Sequence, residues 1–427
     1  MPGTVPSVGR FAARLIIVLG ALAMPSLSGL STDAVNAFIR PSGADARVGG
    51  EEGDRKGTVW VVNRDAGTLA VFDAVSGDYL LKTLPLFVGN GAHDICISEQ
   101  TGKAYITAET DNAVTVVDMQ TLEMESIPVG PMPHHIEPSN DGHTIYVGLA
   151  SHAAAVAPAQ YAVIDTTDHS VRYMTSTNPT DFARAHGITP TLGGDRVYIA
   201  HDSGNMVTGI DSESGDVVLT VKPILRAEEV IPSRFGDLLW ASARGDNTVK
   251  RIELATGAIT ASVPVDPERK GIQPESIMLT PNELTLAVSL RGRPASLSFI
   301  DTSTLKAFPL VRIGPEDSSA GDLAVMTPNG HFIYATYDND ILGTGGVAVV
   351  DVRTREVVKT WQYPIAGRPH GICTRRSSRG SEGESRPLVR RSINHQPPVA
   401  RHGFGLMRYN RFAVARYNAS PTTAGAV

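Results

Sequence analysis

Residues 103–136 read KAYITAETDNAVTVVDMQTLEMESIPVGPMPHHI, and this stretch decides the fold. It opens with a short run, Ala104-Tyr105-Ile106-Thr107, crosses a polar loop and continues in Val114-Thr115-Val116-Val117-Asp118. A turn, a further run, a Pro/Gly segment and a last run centred on Ile136 complete it. Tyr, Val, Ile and Thr suit a pleated surface, so each run is predicted to be a strand. In the counterparts of this stretch the Asp is followed within a few residues by Thr or Ser and often Gly, as in Asp211-Ser212-Glu213-Ser214-Gly215, which is hairpin-turn chemistry.

The same pattern recurs on both sides. Ala70-Val71-Phe72-Asp73, Ala162-Val163-Ile164-Asp165, Ser298-Phe299-Ile300-Asp301 and Val347-Ala348-Val349-Val350-Asp351 are clear copies, and Ile210-Asp211 and Ile252-Glu253 end two degenerate ones. That makes seven between Gly57 and Thr374. The period averages about 45 residues, in the range of four-stranded propeller blades. The expected fold is therefore all-β, a seven-bladed β-propeller, an architecture whose closure removes exposed sheet edges.

At Ala104-Tyr105-Ile106-Thr107, Ile145-Tyr146-Val147-Gly148, Val197-Tyr198-Ile199-Ala200 and Ile333-Tyr334-Ala335-Thr336 the chain resembles the YVTN-repeat (YncE-like) β-propellers. Pro328-Asn329-Gly330 and Arg368-Pro369-His370-Gly371-Ile372 add to the resemblance, which spans most of the chain. It implies that the Ile-centred strand of each repeat lies innermost and that the next repeat supplies the outer three. The first copy begins with a second strand near Thr58–Asn63, and the last ends after an innermost strand near Pro369–Thr374. The two halves are expected to complete one blade and seal the ring. Such scaffolds host unrelated activities, so the resemblance speaks to fold.

Aligning the innermost strands at their Ile brings one column into register, two residues earlier: His93, His134, His186, Glu228, Glu275, Gly321 and His370. Asp94, His135, Glu229 and Asp322 stand beside it. Closure should gather this column at one mouth of the central channel. Imidazoles with carboxylates suit copper, zinc or iron, so His93, His134, His186 and His370 are candidate metal ligands, with Glu228 and Glu275 as candidate general bases. A second reading accounts for the histidines as hydrogen-bond donors to a neighbouring blade's backbone. Loops expected at the same mouth offer Arg64, Glu109, His152, His201 with Asp202, Arg244, Arg291, Arg293 and Asp338. Arg64, His152, Arg244, Arg291, Arg293 and Asp338 are candidate contacts for a small-molecule ligand or protein partner, the three arginines Arg244, Arg291 and Arg293 for an anionic one.

Outside the repeats, Arg10 and Arg14 precede an apolar run, Leu15–Met24, the order of a secretory signal peptide. Residues 1–37 are read as signal peptide and leader and 38–56 as a flexible linker. A periplasmic or secreted product is expected, with no transmembrane segment after processing. From Thr374 to Val427 there are ten Arg, no Lys and two Glu, so this stretch carries +8 while the net charge of the chain is −6. Residues 375–427 are read as a basic disordered tail, whether an anionic-surface tether, a non-homologous end or the product of a shifted frame. Cys96 and Cys373 fall in one column of blades that become neighbours on closure. A disulfide and two buried free thiols are the alternatives. No phosphate loop, Gly-x-Ser-x-Gly elbow or Cys-x-x-Cys motif occurs, and nothing in the composition points to nucleic acid. Ligand binding at the channel mouth is the first expectation for function; a metal-dependent oxidoreductase or hydrolase is the alternative.

Overall fold

A computed structural model describes residues 57–81, 85–150, 159–175, 184–268, 272–339, 344–363 and 367–376. The expected signal peptide, linker and basic tail, apart from Arg375 and Arg376, lie outside the described residues. Within them, twenty-nine strands, β1 to β29 in chain order, form seven sheets, each an antiparallel blade of the expected propeller. No helix occurs among the described residues.

The blade read first consists of β4 (Ala92–Ser98), β5 (Lys103–Ala108), β6 (Ala113–Asp118) and β7 (Met124–Pro128) in spatial order. The other inner strands are β8 (Pro133–Pro138), β12 (Ala185–Pro190), β16 (Ala227–Pro232), β20 (Gln273–Leu279), β25 (Ser319–Met326) and β29 (Pro369–Arg376). Burial follows the radial position. β5 and β6 are buried at nearly every residue because a neighbouring blade covers each face, whereas the outermost β28 (Glu356–Gln362) alternates along most of its length. Tyr105, Tyr146, Tyr198 and Tyr334, the repeated aromatic of the second strands, are all buried between blades.

The repeated Asp acts in the turn as its sequence suggested. Asp118 Oδ1 accepts from the amides of Gln120 and Thr121, both at 2.9 Å, and Asp301 Oδ1 accepts from Ser303 and Thr304 at 3.0 and 2.7 Å. These bonds, with that of the Ser303 hydroxyl, hold the Asp301 carboxyl down at about 2.

The ring closes as expected. β29 pairs antiparallel with β1 (Gly57–Asn63), with Val59 opposite Thr374, Trp60 opposite Cys373 and Val61 opposite Ile372, and β2 (Thr68–Asp73) and β3 (Leu86–Phe87) complete the blade. β29 runs to Arg376, two residues beyond the expected boundary. Cys96 is buried and Cys373 half-buried, and both are free thiols, so no disulfide staples the seam. Burial pushes both thiols well above their ordinary range.

Candidate metal centre

Each inner strand carries a bulge at the titratable column. Ala92 pairs with Ala108 and Ile95 with Ile106, so three steps on β4 oppose two on β5. The same three-against-two count holds from Pro133 to Ile136, Ala185 to Ile188, Ala227 to Val230 and Pro274 to Ile277. A bulge re-aims side chains and leaves an amide outside the ladder. A hydroxyl on the second strand takes up that amide: Asp94 N donates to Thr107 Oγ1 at 3.0 Å, Glu229 N to Ser242 at 2.9 Å and Ser276 N to Ser289 at 3.0 Å. The bulge brings two successive residues, His134 and His135, to one cluster.

The four histidines of the column lie in one continuous arc. Ring centroids are 4.2 Å apart for His370 and His93, 3.8 Å for His93 and His134, and 4.3 Å for His134 and His186. His135 stands 4.7, 4.8 and 5.1 Å from His134, His186 and His93. All five histidines are at most 4% exposed.

The arc divides by chemistry. His186 Nδ1 lies 3.0 Å from the carbonyl oxygen of Glu228, and His370 Nδ1 lies 3.0 Å from that of His93. These are the backbone bonds to a neighbouring blade that the second reading of the sequence anticipated. Each of these histidines is followed by a glycine, and each glycine is needed. A Cβ on Gly187 would stand 2.5 Å from the Glu228 oxygen, and one on Gly371 would stand 2.7 Å from the His93 oxygen. His93 and His134 are followed by Asp94 and His135, and their Nδ1 atoms have no hydrogen-bond partner. His135 Nε2 is also unpartnered.

Charged side chains surround the opposite nitrogens of these three rings. Glu109 Oε1 lies 3.4 Å from His134 Nε2 and 3.9 Å from His93 Nε2, and its other oxygen receives Arg64 Nη2 at 2.5 Å. Arg184 Nη2 lies 3.1 Å from the same His134 nitrogen and its Nη1 3.3 Å from Asp202. His135 Nδ1 lies 2.9 Å from Glu229 and 3.3 Å from Asp94. Burial, reinforced by the neighbouring histidines, holds His93 and His134 well below the ordinary imidazole range and keeps them neutral. Burial works the same way on His135, but Glu229 and Asp94 overcome it and raise that ring well above its ordinary value. One ligand atom from each of His93, His134 and His135 lies within 4.8 Å of the others. Nitrogens around one tetrahedral ion with bonds of about 2.0–2.1 Å would stand roughly 3.4 Å apart, so coordination draws the rings inward from this spacing.

The acidic part of the column is arranged differently. Arg244 Nη1 lies 2.7 Å from Glu228 Oε1 and Nη2 lies 2.8 Å from Glu275 Oε2, while His186 Nε2 lies 2.8 Å from Glu228 Oε2. Burial opposes ionisation of Glu228, yet the contacts with His186 and Arg244 hold it below the usual carboxylate value.

The structure thus brings His93, His134, His186, His370, Glu228 and Glu275 together, with Arg64, Arg244 and Arg291 around them. Arg291 Nε lies 3.8 Å from Glu275. Arg293 is exposed. Asp338 is buried at the end of β26 (Phe332–Asn339), opposite Ser319, and His152 lies outside the described residues. Arg184 is absent from the sequence-based candidates; Arg226 and Arg368 share its place two residues before the column, a signal that could have found it.

No family model matches the chain. No curated protein matches it either. Solved structures do. A chain of the Kuenenia stuttgartiensis hydrazine synthase is 19% identical over 70% of this chain and 93% of its own, with a TM-score of 0.57. A functionally unknown protein from Desulfotomaculum acetoxidans is 12% identical over 75% and 99%, with a TM-score of 0.57. The dihydro-heme d1 dehydrogenase NirN is 15% identical over 74% and 75%, with a TM-score of 0.51. At these identities the likeness is one of fold.

Proposed function

We propose that this protein is an exported β-propeller that binds one transition-metal ion, copper or zinc, at one mouth of its channel through His93, His134 and His135. The observation that carries the reading is the set of three buried imidazoles, each with an unpartnered ring nitrogen, drawn into one group. A carboxylate on the far nitrogen of a ligating imidazole orients the ring and raises its basicity, and Glu229 and Asp94 stand in that relation to His135. Nitrogen-rich donor sets favour copper and zinc over calcium or magnesium. Charge supports the same reading. Around the three rings Arg64 and Arg184 stand against Glu109, Asp202, Asp94 and Glu229, an excess of two negative charges that a divalent ion with neutral imidazoles cancels. Export rests on the Arg10, Arg14 and Leu15–Met24 pattern. The mouth also suits a small-molecule ligand, since Arg64 and Arg291 beside the cluster are 28% and 34% exposed along their side chains.

Elemental analysis of protein purified without a polyhistidine tag tests this. About one copper or zinc per chain is expected after loading, lost in His134→Ala and in His135→Ala. His370→Ala should keep it, because that ring already has a backbone partner. A folded wild-type protein that takes up neither metal would sink the reading.

A further inference from the structure

His186, Glu228 and Glu275 also place three ligand atoms within 4.8 Å of one another, so the column holds a second group with the spacing of a metal site. Both carboxylates are essentially inaccessible. Two buried carboxylates so close together repel each other and need a cation. Arg244 is that cation. It is itself only 5% exposed, and its two terminal nitrogens reach one oxygen of each carboxylate at 2.7 and 2.8 Å.

We infer that Arg244 is the residue that sets which ions this mouth accepts and how many: its guanidinium occupies the acidic half of the column, closing it to hard divalent cations and leaving only the imidazole half for metal. A guanidinium suits this task. It stays charged at any accessible pH, it is more weakly hydrated than an ammonium, and its planar fork matches two carboxylate oxygens at once. With Arg291 3.8 Å from Glu275, two guanidiniums face two carboxylates, and the acidic half is balanced without an ion. The imidazole half has no such occupant. Arg184 touches the edge of His134 and the Asp202 carboxylate, and Arg64 the Glu109 carboxylate, while three ring nitrogens stay unpartnered. Removing the Arg244 charge would leave oxygen donors of the kind that manganese and calcium take.

The test is uptake of manganese by full-length protein first loaded with one equivalent of zinc and no excess, so that zinc fills one site per chain and manganese reports a second. Wild type and Arg244→Lys, which keeps the charge, should bind no manganese at this place. Arg244→Gln should go from none to about one ion per chain, detected by elemental analysis and by electron paramagnetic resonance. Because Arg244→Gln strands two buried carboxylates, it is also expected to melt lower than wild type and to regain much of the loss when manganese is added. An Arg244→Gln protein that takes up no ion and is not restored by it, folded or not, overturns the inference. So does a wild type or an Arg244→Lys protein that binds manganese as Arg244→Gln does. A wild type that fails to take zinc would count against the imidazole site alone, since this measurement reads the acidic half.

Discussion

At the scale of single residues, the cluster sets a pH dependence whose direction follows from burial. His93 and His134 are held well below 6.5, so below that pH the unfolded chain binds protons there that the folded chain refuses. The stability they contribute is complete above pH 6.5 and falls as the pH drops beneath it. His135 has the opposite sign. Its folded value is raised, so its contribution is complete below pH 6.5 and is lost as the pH rises through that folded value. Metal-free protein is therefore expected to be most stable near pH 6.5, losing stability towards pH 5 through His93 and His134 and, through His135, as the pH rises above 6.5. His93→Gln with His134→Gln should flatten the acidic limb in thermal melts recorded across pH. An acidic limb unchanged in that variant would mean that these rings are not buried neutral. The distinction between histidines was partly legible in the sequence. His186-Gly187 and His370-Gly371 carry the glycine that lets a blade's backbone come within hydrogen-bond reach, and His93-Asp94 and His134-His135 do not. What could not be read is the reach of Arg244 to Glu228 and Glu275, because it depends on side chains meeting across blades.

At the scale of the strand, buried tyrosines of different strands meet different surroundings. Tyr334 donates to the carbonyl of Ala74 at 3.0 Å and so ties β26 to the closing blade. The hydroxyl of Tyr161, on β10 (Ala159–Asp165), is buried with no partner. A buried hydrogen bond contributes about 0.5–1.5 kcal/mol net, and a buried polar group without one is a cost. Tyr334→Phe should therefore lower stability by about 1 kcal/mol, whereas Tyr161→Phe should be neutral or stabilising. Denaturant melts of the two variants check this, and equal losses in both would show that the hydroxyls do not differ in environment. The strands themselves were legible because their signals are local. Asp118 and Asp301 bind amides two and three residues ahead, and a turn that short is written in adjacent letters. The bulges were not legible. Nothing in Pro133-His134-His135-Ile136 announces that three steps will oppose two, and only that count explains why His135 joins the site as well as His134.

At the scale of the whole molecule, the cluster and the closure of the ring depend on one strand. β29 supplies the inner edge of the closing blade, buries Ile372 in a core with Val59, Val61, Phe72 and Trp361, and places His370 against His93. Thr336 bonds the His370 carbonyl from one side at 3.0 Å, and His370 Nδ1 reaches the His93 carbonyl on the other. The seam thus runs through the histidine arc. Without β29, the inner edge of β1 would lose its ladder partner, and an unpaired edge beside apolar residues such as Val59 and Val61 is a template for self-association. A chain ending at Tyr363 is accordingly expected to lose the single cooperative melt of the ring and to associate in sedimentation experiments. A chain ending at Arg376, which keeps every strand from β1 to β29, should melt as one ring. If the chain ending at Tyr363 stayed monomeric with an unchanged melting temperature, the pairing of β1 with β29 would not be what seals the propeller, and the approach of His370 to His93 would have to be held by the blades on either side.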